Sequence, residues 1–139
     1  MSEEKNLSDY QDKIEWLLLF MRASIFIVMF AWTVDKFTDP SHGVAILKGF
    51  YFIDGVGEQL VMILGGLEML LILAFVAGAF KKYTYGLILL FHGLTTFASF
   101  DRYIPPDVSL TFFAAWPMLA ACATLYILRD FDKKFAVQK

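Results

Sequence analysis

A chain of 139 residues that is 58% hydrophobic and 17% aromatic is more apolar than a water-soluble domain, where about 45 to 50% of residues are apolar with glycine counted. A formal charge of −2, with basic residues scattered toward helix ends, excludes a nucleic-acid backbone as partner. The single cysteine, Cys122, excludes an intramolecular disulfide or a two-cysteine redox relay and reads as small buried filler.

The chain reads as one membrane unit, residues 1–139, of all-α class: a four-transmembrane-helix bundle. The first thirteen residues are polar and mostly acidic, without the basic head and apolar core of a secretory signal, so the first apolar run is expected to stay as a span. That run, residues 14–34, has spanning length, with Trp16 and Trp32 near its ends, where aromatic rings prefer to lie, and Arg22 inside it. Asp35 and Lys36 close it, and residues 37–57 form a loop. Within the loop, residues 44–53 are apolar but too short to span, which suits an interfacial or re-entrant segment packed over the bundle.

The second span, residues 59–80, has one ionisable group, Glu68, near its middle. An ionised acid at a helix centre costs about 2.5 to 3.5 kcal/mol on insertion scales, so Glu68 needs protonation, a partner or water. Gly65, on the Glu68 face, lets another helix come close. The third run, residues 83–100, is short and carries Tyr85, His92, Thr96 and Ser99 at spacings that stack them on one face, which should point into protein. The fourth span covers residues 108–128, with Pro117 expected to kink it, and a short charged tail follows. Four spans put both termini on one side. That side carries Lys5, Lys13, Lys81, Lys82, Arg129, Lys133, Lys134 and Lys139 against Lys36, Lys48 and Arg102 opposite, so the positive-inside bias places both termini in the cytoplasm.

Counted from the cytoplasmic helix ends at 1.5 Å per residue, Arg22 lies about 12 Å deep, His92 about 13 Å and Glu68 about 18 Å. The expectation is a shared polar layer in which Arg22, Glu68 and His92 bind a quinone, a proton or a small anion, walled by Trp32, Phe91 and Trp116. Plainer roles stand beside it. Arg22 can snorkel to headgroups or pair with Glu15, and His92 can simply hydrogen-bond a neighbouring helix. Asp35, Lys36, Asp101 and Arg102 read as an extracytoplasmic charged cluster, either a solvated ion-pair network or the mouth of a cavity. No metal site is expected, because His42 and His92, the two histidines, belong to different depths. The methionines beyond the first, Met21, Met29, Met62, Met69 and Met118, read as packing.

Three stretches, MRASIFIVMFAWTVDKF, GGLEMLLIL and LFHGLTTF, resemble the DoxX/DoxD family of small bacterial four-helix integral membrane proteins. The resemblance implies a bacterial inner-membrane location. It also implies an accessory role: some members are subunits of thiosulfate:quinone oxidoreductase, others associate with membrane redox or stress-defence complexes, and distant relatives assist assembly of other membrane proteins. The positions matching the motifs are Arg22, Asp35, Lys36, Gly66 and Glu68, while relatives that use cysteine pairs find no counterpart in the lone Cys122. The function expected is therefore an accessory subunit of a membrane redox complex, with quinone as a candidate ligand: a subunit of a quinone-linked oxidoreductase rather than an enzyme complete in itself. The alternatives are a non-enzymatic assembly or structural protein docking on a larger partner, a homo-oligomer, or a small transporter.

Overall fold

The computed structural model describes residues 5–138, in which every regular element is helical; the start of the polar leader and Lys139 lie outside the described residues. Five α-helices follow one another: α1 (Gln11–Thr38), α2 (Pro40–Tyr51), α3 (Glu58–Val76), α4 (Lys81–Ala98) and α5 (Ala115–Ile127). The four longer runs form a ring in which α1 packs on α3, α3 on α4, α4 on α5 and α5 on α1, with α2 laid across α1 and α3. Leu18 and Ile25 of α1, Ile72 and Phe75 of α3, Tyr85 and Ile88 of α4 and Cys122 and Leu125 of α5 fill the centre.

Among the described residues, three stretches are long and apolar enough to cross a membrane: Leu7–Thr38, Glu58–Val76 and Leu110–Ile127. The fourth long helix, α4, has 18 residues but opens with Lys81 and Lys82 and carries the polar face foreseen in its sequence. Tyr85, Thr96 and Ser99 of that face are buried. On the outside of the ring the side chains are large, apolar and exposed, Phe20 at 71%, Leu70 at 68% and Ile127 at 70% among them. A contiguous apolar belt of this kind is far beyond what a water-soluble monomer shows to solvent.

Local chemistry explains several boundaries. The expected loop after the first span is mostly helix: α1 runs to Thr38, and after one residue α2 begins on Pro40. Asp39 is the N-cap, its carboxylate accepting from the His42 amide at 3.3 Å, and Pro40 follows it where a missing N–H costs nothing. The expected kink at Pro117 is absorbed differently. Residues Leu110–Ala114 wind as a 3-10 helix and α5 proper starts at Ala115, which leaves Pro117 in the first turn, where its ring and missing donor are tolerated.

The packing of α1 on α3 fixes the depth of every polar group. A Cβ on Gly65 would stand 3.1 Å from both Lys36 Cβ and Phe37 Cζ, so the end of α1 presses on that glycine. At the other end the chain turns at Gly78 (φ +67°), directly beside the Arg22 guanidinium. α3 therefore stops level with Arg22, and the first three turns of α1 project beyond it. The tail folds back into that space. Lys134 Nζ reaches Asp12 at 2.7 Å and Glu15 at 3.6 Å, Phe135 lies against Trp16, and the amides of Val137 and Gln138 donate to the carbonyls of Ala77 and Gly78 at 2.8 and 3.1 Å. Both ends of the described chain thus lie at one end of the bundle.

Candidate functional site

The polar side chains singled out in the sequence do not share one layer. Arg22 Nη1 donates to Asp132 Oδ2 at 2.8 Å and to Tyr85 Oη at 3.3 Å, and Nη2 donates to the carbonyls of Lys134 and Phe135 at 2.6 and 3.0 Å. The Tyr85 hydroxyl in turn donates to Asp132 Oδ2 at 2.6 Å. Arg22 and Asp132 are 1% and 0% exposed. The ammonium of Lys81, also buried, donates to the carbonyls of Arg129 and Asp132. Arg22 therefore neither snorkels nor meets Glu68: it is the centre of a knot that binds the tail to α1 and α4.

Glu68 has its own partners. Its Oε1 accepts from Thr33 Oγ1 at 2.6 Å, and Oε2 lies 3.1 Å from Lys36 Nζ. Thr33 and Lys36 stand eleven and fourteen residues beyond Arg22 on α1, or about 16 and 21 Å along the axis. The shared depth inferred from helix ends fails because α3 ends at the level of Arg22 while α1 begins three turns lower, so depths counted from those ends start in different planes. His92 Nε2 bonds the carbonyl of Ala115 at 3.0 Å, tying α4 to the start of α5.

The expected walls disperse as well. Trp32 lies beside His42, Phe91 is on the exposed side of α4, and Trp116 packs edge-on against Phe97 with ring centres 5.5 Å apart. The charged cluster at the far end separates into two parts. Asp35 pairs with His42 at 2.6 Å and Lys36 turns to Glu68. Arg102 lies against the rings of Phe50 and Phe112, at 5.4 and 5.9 Å, the two rings being 5.9 Å from each other, with Asp101 Oδ2 3.8 Å from its Nε. A cation over aromatic rings is held by their quadrupoles, and here it joins α2 to the segment before α5. Tyr51 Oη bonds Thr95 Oγ1 at 2.8 Å, a second tie from α2 to the ring.

Outside the apolar spans, three ionisable groups among the described residues are displaced from their ordinary ranges, burial pushing the Tyr103 hydroxyl up. The hydrogen bond from Lys134 to Asp12 holds that ammonium above the usual lysine value. The Ser41 hydroxyl and the His42 amide hold the Asp39 carboxyl below the usual carboxylate range.

Sequence reasoning did not foresee Asp132 as the partner of Arg22, Thr33 as a partner of Glu68, or the pairing of His42 with Asp35. One signal was present. The tail reads RDFDKKFAVQK, with Phe135, Ala136 and Val137 forming an apolar patch after the charges. A lone arginine inside a span also calls for an acid, and Asp132 is one of the two in that tail.

Among the described residues no group of three or more His, Cys, Asp or Glu side chains is placed to hold a metal ion. An open, mainly apolar groove of about 310 Å³ between α4 and α5 is lined by Leu89, Leu90, Gly93, Leu94, Phe97 and Leu119. No family model, curated protein or solved structure matches the chain.

Proposed function

We propose that this chain is a multi-pass protein of the bacterial inner membrane, with four spans and both termini cytoplasmic, acting as a non-catalytic accessory or assembly subunit that docks on a larger membrane partner. The role follows the DoxX resemblance of the quoted motifs. The observation that carries the choice among roles is that Arg22, Glu68 and His92 each end on a different intramolecular partner. The hydrogen bonds they make fasten helices and tail, which favours a scaffold over an interior ligand pocket. Four spans are supported by the ring arrangement, since α4 runs the same course as its three more apolar neighbours. The cytoplasmic termini are supported by the excess of Lys and Arg at the end that carries them.

Native purification in lipid nanodiscs tests the reading. A larger protein retained in fixed ratio with the chain is the expected result. A monodisperse chain without partner, carrying one quinone per copy in an organic extract, would replace it with the quinone-binding reading. Reporter fusions at residues 5 and 138 should both report cytoplasm; opposite sides would remove the four-span topology.

A further inference from the structure

At the far end of the bundle a partly exposed imidazole is fixed at one nitrogen and open at the other. His42 Nδ1 lies 2.6 Å from Asp35 Oδ2, and the imidazole stacks beside the Trp32 indole, ring centres 6.0 Å apart and planes inclined by 28°. Asp35 engages Nδ1, and the other ring nitrogen, Nε2, has no hydrogen-bond partner among the described residues. The ring is well placed by its backbone. The His42 amide belongs to the α2 cap, and the next residue, Gly43, is pressed on Val61 of α3 so closely that a Cβ would stand 2.4 Å from Val61 Cγ1.

Ala31, Trp32, Asp35 and His42 line an open groove of about 230 Å³ whose surface is mostly apolar. It lies at the outer end of α1, where a tryptophan marks the border between hydrocarbon and headgroups. A ligand suited to it brings a flat apolar ring for the indole and a hydroxyl that donates to Nε2. Anions are disfavoured by the Asp35 carboxylate at the same rim. A quaternary ammonium has no hydrogen to give the imidazole.

We propose that this groove binds a membrane-soluble phenol, its ring against Trp32 and its hydroxyl donating to His42 Nε2. Asp35 acts as a positioning residue that sets the tautomer. No covalent or redox step is involved.

The test uses the full chain in nanodiscs with Trp16 and Trp116 replaced by Phe, so that indole fluorescence reports Trp32 alone. 4-tert-Butylphenol is titrated against its methyl ether, which has the same ring and partitioning but no donor. The expected result is a saturable change, with the phenol about tenfold tighter, the worth of one hydrogen bond. His42→Phe, which keeps a ring and removes the acceptor, should erase that preference and leave the melting temperature in place. Equal affinity for the two probes in the His42 protein overturns the proposal, and this comparison needs no folded variant. So does a preference that survives in His42→Phe, or tighter binding of tetramethylammonium. Binding is read on the isolated chain, so loss of the docking role leaves this result intact, and the reverse also holds.

Discussion

The two ends of the bundle use similar groups in opposite ways. At the end carrying the termini, Arg22 meets Asp132 with both side chains closed to solvent; a tyrosine hydroxyl and two carbonyls add partners, while Arg22 Nε and Asp132 Oδ1 stay buried without one. At the other end, Lys36 meets Glu68 with the two side chains 24% and 21% exposed and Thr33 as the added donor. Enclosure separates them. A charge pair closed in on all sides is held mainly by the penalty of leaving either partner alone, whereas a pair on the flank of the bundle, reached by one helix neighbour, has room to rearrange. The Arg22 knot is thus expected to weigh more on the fold than the Lys36–Glu68 pair.

Removing one partner from each pair is the sharpest way to break this contrast. Asp132→Ala leaves the Arg22 guanidinium buried without its counter-charge and should cost about 3 to 5 kcal/mol, read as a large drop in thermal unfolding temperature in detergent. A loss no greater than that of the outer pair would mean that water already enters the knot.

Gly78→Ala comes next. Its φ of +67° disfavours a side chain, and the new Cβ would stand 2.7 Å from Ala136 Cβ and 2.9 Å from Ala136 Cα. The strain should cost about 1 to 3 kcal/mol, and the contact it breaks holds the tail. Limited proteolysis after Arg129 or Lys133 should therefore become fast while the core of the bundle stays resistant. Unchanged cleavage would show that the knot holds the tail without the backbone pairing at Ala77 and Gly78.

Glu68→Gln tests the outer pair. An amide still accepts from Thr33, and the Lys36 ammonium keeps its bond to the Trp32 carbonyl, so the expected cost, about 1 to 2 kcal/mol, stays below that of Asp132→Ala. A large loss would put Glu68 on a par with Asp132 in holding the fold and erase the difference between the two ends.

The smallest effect concerns the cap of α2. The Asp39 carboxyl is held below its usual range by the Ser41 hydroxyl and the His42 amide. Its folded value is depressed, so its contribution to the cap is present above the unfolded value of 3.8 and is lost as pH falls through the folded one. Acid in that range should loosen α2 by circular dichroism in the native protein, while Asp39→Asn, which caps without titrating, should show no such change.

The order of residues alone was enough for the helical class and the affinity for membrane, because both depend on local runs of apolar residues and on the rise of a helix. It also marked the inward face of α4, where the spacing of Tyr85, Thr96 and Ser99 places them on one side whatever lies opposite. The close approach at Gly65 follows from the same kind of reasoning. Partnership was another matter. Whether Arg22 met Glu68 or Asp132 depended on the offset of α1 against α3 and on a tail that returns across a separation of 110 residues. Neither leaves a mark in periodicity. An apolar face specifies that a helix is buried but tolerates sliding by a turn, and it is the positive-φ turn at Gly78, the contact at Gly65 and the docked tail together that select one register.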